Sequence, residues 1–307
     1  MSKFELPALS EDIRRDPADF IARCDARYDR IVNETAGKVA DNLSCSPIVL
    51  LAGPSGSGKT TTASRICKSL ERAGIHSHMI SLDDYYLSVD NASYPKLENG
   101  EPDLESPHGL DVELLNRQLA QLTKGEEVEV PHFNFKVHRR DPAAARPLRL
   151  GKDEVVIFEG LHSLNPMFTE RNPDAFRLYV SPCTDYYDDA ELMLPHSVSR
   201  LLRRCVRDLY HRNAPAIETL SLWANVCRGE RLYIRPYAQQ ADVAIDTTFG
   251  YELPVLSKIA EPQFFELPDD APQMALVLAI QRTADRLPSI DPELVPATSL
   301  LREEFLQ

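Results

Sequence analysis

The chain has 307 residues, of which 43% are hydrophobic and 26% charged, and a formal net charge of −13. That size and apolar content suit one large α/β domain or two small ones with a sizeable core. The acidic balance argues against a general nucleic-acid binder, which needs a basic face. No apolar run approaches the roughly 18 residues that would cross a membrane, and the first residues lack an apolar signal core, so a cytoplasmic protein is expected. Six cysteines at 24, 45, 67, 183, 205 and 227 form no C-x-x-C pair and read as free thiols in a reducing compartment.

Residues 1–45 are expected to form an N-terminal helical extension. Asp16 and Pro17 stand as N-cap and first helical residue, and Phe20, Cys24, Tyr28, Ile31 and Val32 mark one face of a helix to about residue 39. Residues 46–307 are read as a single domain. A buried strand over 47–52 leads into GPSGSGKTT, in which Gly53, Gly58, Lys59 and Thr60 fit G-x-x-x-x-G-K-[ST]. Gly53, Pro54, Ser55, Gly56, Ser57, Gly58, Lys59, Thr60 and Thr61 would form an ATP-phosphate cradle of backbone N–H groups, to which Pro54, having none, contributes only shape. The helix that opens at Lys59 adds its positive dipole end. In this pattern the lysine reaches the β- and γ-phosphates and the Thr60 hydroxyl ligates Mg2+.

Ala63, Ile66, Cys67 and Leu70 keep helical spacing up to Gly74. A strand over 78–82 follows, ending in Asp83, Asp84, Tyr85 and Tyr86, with a proline- and acid-rich loop to about residue 108. Asp111 caps a helix through 124, and 128–141 is extended and partly aromatic. The apolar run 155–158 is a buried parallel strand ending at Glu159 and Gly160. Further strands are expected at 176–180 and 242–245, with an arginine-bearing helical lid over about 196–232. A helical, then proline-rich tail covers 271–307. Strand–helix alternation after a phosphate loop predicts a parallel sheet with helices on both faces.

Neither an N-K-x-D guanine motif nor an L-S-G-G-Q signature occurs, which disfavours GTPases and ABC-type ATPases. Asp83 and Asp84 lie at the carboxyl end of a strand, where open α/β sheets bind ligands. Neighbouring side chains there point apart, so one of the two faces the acceptor. A carboxylate so placed can accept a hydroxyl proton during phosphoryl transfer. Arg200, Arg203, Arg204 and Arg207 fall at i, i+3, i+4 and i+7, with Arg212 beyond, a set that can clamp a transferring phosphoryl group. As solvent-facing lid residues, Arg203 and Arg207 are expected to cost little stability when removed. Glu159 can hold Mg2+ through water, and His162 beside it reads as a structural histidine.

GPSGSGKTTTASRI, ISLDDYY, VPHFNFKVHRR, VVIFEGLHSLNP and SRLLRRCVRDLYHR, in this order between Ile48 and Asp246, resemble the uridine kinase and phosphoribulokinase superfamily. YELPVLSKIAEP and SLLREEF beyond them resemble a bacterial nucleoside-kinase branch. The resemblance implies that Asp83 is the base for the ribose 5′-hydroxyl and that Tyr86 lines the substrate. It places Glu105, with Asp103 as competitor, on the ribose hydroxyls, and Phe133 and His138 on the pyrimidine. Glu159 takes the Mg2+-associated position. Arg200 and Arg203 take substrate and transition-state positions, and Arg207 and Arg212 take ATP-phosphate positions. Three departures bear on nucleoside identity: Phe133 where a tyrosine is usual, Glu105 where an aspartate is usual, and Asn213-Ala214-Pro215 where a second lid arginine is usual. The implied activity is transfer of the ATP γ-phosphate to a ribonucleoside 5′-hydroxyl, uridine first and cytidine second, in nucleoside salvage, with Mg2+ as cofactor. A kinase for another sugar-like acceptor, a nucleotide sensor, a partner-driving ATPase and a homo-oligomeric state stay open.

Overall fold

Continuous apolar runs in this chain become strands covered on both sides. The computed structural model describes residues 3–306; residues 1, 2 and 307, the outermost of the expected extension and tail, lie outside it. The chain opens with β1 (Lys3–Glu5), α1 (Leu6–Arg15) and α2 (Pro17–Asn42). Asp16 caps α2 by accepting hydrogen bonds from the Ala18 and Asp19 amides, with Pro17 leading the helix. Then come β2 (Ile48–Ala52), α3 (Lys59–Arg72), β3 (His76–Ser81) and α4 (Val112–Thr123). Four short strands follow, β4 (Val128–Val130), β5 (Phe133–Asn134), β6 (Arg139–Arg140) and β7 (Arg146–Leu148). The core resumes with β8 (Glu154–Gly160), α5 (Pro166–Thr169) and β9 (Phe176–Ser181), and a hairpin of β10 (Asp185–Asp188) and β11 (Glu191–Leu194). The lid region is α6 (His196–Arg212) and α7 (Ala216–Tyr233). The chain finishes with β12 (Val243–Asp246), α8 (Glu252–Phe265), α9 (Met274–Ala284) and α10 (Leu300–Phe305).

The central sheet is five-stranded and parallel, in the order β12-β9-β2-β8-β3. Side chains alternate across it. Val49, Leu51, Val155, Ile157, Leu178 and Val180 pack in one cluster with α2, α3, α6 and α8. Ile48, Leu50, Ile80, Val156 and Phe158 pack in a second cluster with α4 and α5. Both faces are therefore dry, which is why these strands read as unbroken apolar runs rather than as alternation. Each fully buried Leu, Ile or Phe contributes about 1.5–3 kcal/mol.

The expected strands and helices from residue 47 onward appear with small shifts at their ends. The expected N-terminal helix is α2, but α1 and β1 precede it, and β1 pairs parallel with β10 to form a separate three-stranded sheet with β11. A three-residue strand has too little sequence to carry a period-2 signal. Buried Phe20, Ile21, Tyr28 and Val32 put α2 in the same cluster as α3.

Candidate active site

The loop between β2 and α3 can exist only because it is short of side chains. A Cβ on Gly53 would lie 2.0 Å from the Val180 carbonyl oxygen, so only glycine lets the loop cross the end of β9. The Lys59 ammonium folds back to donate to the Pro54 carbonyl at 3.3 Å. The Thr60 hydroxyl donates to Glu159 at 3.2 Å, and the Thr61 hydroxyl to Glu304 at 2.5 Å. Behind the loop, Thr62 donates to the Gly58 carbonyl and lies 2.8 Å from the Tyr28 hydroxyl of α2.

A cleft of about 260 Å³ opens over this loop, lined by Ser55, Lys59, Thr60, Asp83, Glu105 and Glu159 and roofed by Arg204, Arg207, Arg212 and Glu304. Burial lowers the Lys59 pKa, opposed by the nearby charges of Glu159, Asp83 and Glu304. Burial raises Asp83 and Glu159, each opposed by Lys59. One lysine thus faces several carboxylates in a low-dielectric recess, the kind of perturbed cluster found at functional sites.

Asp83 and Asp84 part company, though not by strand alternation. They sit in a 3₁₀ turn (Leu82–Tyr85), started by the Ser81 hydroxyl accepting from the Asp83 amide. Asp83 faces the cleft. Asp84 accepts from the Phe133 amide at 3.1 Å and pairs with His132 at 3.2 Å, so it anchors the β5–β6 hairpin.

The arginine helix divides into two sets, which corrects the expectation of a single exposed lid face clamping the phosphoryl group. Arg203 is fully buried. It pairs with Glu252, donates to the Thr247 and Gly56 carbonyls, and lies 5.3 Å over the Phe305 ring. It bolts the floor of the phosphate loop to α8 and α10 and does not line the cleft. Arg200 is also buried, paired with Glu230 at 2.5 Å and stacked on Trp223, so it too is turned from the cleft. Helical spacing puts arginines on a face but cannot say what covers that face. Arg207 and Arg212 do line the cleft, and Arg204, expected only as one member of the clamping set, joins them. Arg204 reaches the Ser55 hydroxyl at 3.1 Å. Buried Asp208 gathers all three, at 3.3 Å, 3.1 Å and 3.5 Å from Arg204, Arg207 and Arg212. An aspartate at i+4 from Arg204 was the available signal.

The acceptor side is similarly sorted. Glu105 lines the cleft, and burial raises its pKa to about 7, opposed chiefly by Arg204. A Cβ on Gly229 of α7 would come within 2.4 Å of the Glu105 Cβ, so the lid helix closes directly on this side chain. Asp103, its competitor, is taken by Arg228 at 2.7 Å and is buried away from the cleft. Tyr86 is close enough to Asp83 and Glu105 for their charges to add to the burial that raises its pKa. Phe133 is buried 6.1 Å from the Tyr86 ring and supports that tyrosine without lining the cleft. His138 is exposed at the hairpin tip with φ 52°, beside Leu104 and Arg139 on an outer hollow. His162 is buried and 6.3 Å from the Tyr233 ring. Burial lowers its pKa to about 4, so the ring is neutral.

Thr60 and Glu159 offer a hydroxyl and a carboxylate oxygen side by side, a donor set that suits a hard cation such as Mg2+. Parallel sheet, phosphate loop, facing carboxylates and arginine roof define a P-loop phosphotransferase. The sequence pattern of the Phosphoribulokinase / Uridine kinase family matches residues 48–250, and the chain belongs to that family. It is 30% identical over 204 residues to a uridine kinase of Macrococcus caseolyticus, covering 66% of this chain and 89% of the relative. A uridine kinase of Staphylococcus epidermidis is 31% identical over 199 residues, covering 64% and 86%. Among solved structures, "Structure of a Possible Uridine Kinase from Bacillus stearothermophilus" is similar at a TM-score of 0.42 and 18% identity, covering 65% of this chain and 88% of that one. The chain is an ATP-dependent kinase with an alcohol acceptor. No helix among the described residues is long and apolar enough to cross a membrane.

Proposed function

We propose that this kinase moves the γ-phosphate of ATP to the 5′-hydroxyl of a ribonucleoside, with uridine or cytidine as acceptor. The convergence of Asp83, Glu105 and Lys59 in one cleft carries the reading. Asp83 takes the hydroxyl proton as the oxygen attacks. Its raised pKa makes it a stronger base than a solvated carboxylate. Lys59 meets the charge spreading over the transferring group, and Arg204, Arg207 and Arg212 close over it. Glu105 accepts hydrogen bonds from the sugar hydroxyls. Mg2+, held by Thr60 and Glu159, would neutralise phosphate charge. Support for a pyrimidine comes from the relatives named uridine kinase; Phe133 and His138, turned from the cleft, add none.

The test is ADP release with uridine, cytidine, deoxyuridine, adenosine and a panel of free sugars at fixed Mg-ATP. Uridine or cytidine should lead, and deoxyuridine should fall far behind, because Glu105 would be left facing a missing hydroxyl. Turnover on a sugar alone would replace the nucleoside with another alcohol. ATP hydrolysis indifferent to every acceptor would replace the kinase with an ATPase.

A further inference from the structure

At the end of β3 remote from Asp83, three ligand-bearing side chains meet on the sheet edge. His76 and His78 are two apart on one strand and so share a face, and Glu154 stands in register with His76 on β8. Their ligand atoms all lie within 4.8 Å of one another. His78 Nε2 is 3.1 Å from Glu154 Oε2. Two ligands held about 2.0–2.1 Å from a tetrahedral ion are separated by roughly 3.3 Å, so this pair is already at the required spacing. The two imidazoles stand edge to face, with centroids 4.8 Å apart.

A second layer of contacts holds His76 and Glu154 in place. Glu71 of α3 lies 2.9 Å from His76 Nδ1 and accepts from the Ser77 amide at 2.8 Å. The Gly151 amide donates to Glu154 at 2.9 Å. Carboxylates on the far nitrogen of a histidine, and amides on a ligating carboxylate, are the contacts that orient metal ligands. His78 and Glu154 are half-buried and His76 is open to solvent, which gives an ion both a fixed seat and an entry path.

We propose that His76, His78 and Glu154 form a zinc site, with Glu71 orienting His76 and water completing the shell. Two imidazoles and one carboxylate favour Zn2+ over the all-oxygen cations Mg2+ and Ca2+. The ion pins edge strand β3 to β8 at the end of the sheet opposite the phosphate loop, so its effect is on stability and not on turnover.

Equilibrium dialysis of the full chain, free of any polyhistidine tag and saturated with Mg-ATP, should find one tightly held Zn2+. Co2+ in its place should give a tetrahedral visible spectrum. His78→Ala and Glu154→Gln should each weaken Zn2+ at least about tenfold, Glu71→Gln by less, and Zn2+ should raise the Tm of the parent but not of these variants. His76→Ala, at an exposed position, should keep fold and kinase turnover while losing the ion. Absence of tight Zn2+, or Zn2+ held equally by the His76→Ala and Glu154→Gln proteins, would overturn the site and leave two ordinary His–Glu pairs.

Discussion

The two walls of the cleft are built by different physics. The phosphate wall is one contiguous loop whose anion site is backbone, shaped by glycine at a close approach and aimed by the start of α3. The acceptor wall is assembled from side chains supplied by the turn after β3 and the loop carrying Glu105, beneath arginines from α6. A backbone site needs residue types at fixed spacing, so it leaves a motif. A side-chain site needs only that distant segments meet, so it leaves little.

Substitutions can break that contrast at either wall. On the phosphate side, Lys59→Ala should cut turnover by about 10²–10³ or more while circular dichroism stays native. On the acceptor side, Asp83→Asn should lower kcat by about 10²–10⁴ with modest change in KM, and Asp84→Asn by far less, its loss appearing as a loosened β5–β6 hairpin. The reverse ranking would transfer the base to Asp84.

Arg203→Ala sharpens the comparison because it acts beneath the phosphate wall. It strands buried Glu252 without its partner, a loss of about 3–5 kcal/mol, read as a Tm drop of roughly 10 °C. Arg204→Ala and Arg207→Ala should instead cut turnover at least about tenfold with a smaller thermal cost. A melting curve and a turnover number on the same samples separate the floor from the roof.

The smallest effect is pH-dependent. The Glu105 pKa is raised to about 7, so the carboxyl keeps its proton below that value and accepts sugar hydroxyls well only above it. From about pH 6 to 8 its ionised fraction climbs from roughly a tenth to nine-tenths, and acceptor KM should fall up to about tenfold. Glu105→Gln should flatten that profile. The raised value also means that its contribution to stability, present below the ordinary glutamate pKa, is lost as pH rises through about 7. The glutamine variant should therefore gain in Tm relative to the parent at alkaline pH, and a loss there would show the carboxylate to be stabilising.

Most of the sheet was legible because buried parallel strands announce themselves as apolar runs, and Lys59, Thr60 and Glu159 because they follow a spaced motif or end such a run. Arg200 and Arg203 were misplaced for a definite reason. Spacing fixes which side of α6 they occupy, while their burial depends on Glu230 and Glu252, far along the chain. Glu304 was invisible for the same reason: nothing near Thr61 in sequence announces a carboxylate from α10. Asp103 and Glu105 could not be ranked until Arg228 took one of them.

Glu304 against Thr61, and Leu300 against Gly58, tie the phosphate loop to a helix synthesised long after it. Synthesis runs at about 5–20 residues per second, so the loop emerges well before the element that packs its flank. A nascent chain holds its nucleotide seat half-walled for many seconds. Chains stalled before residue 300 should release ATP faster than chains that include α10.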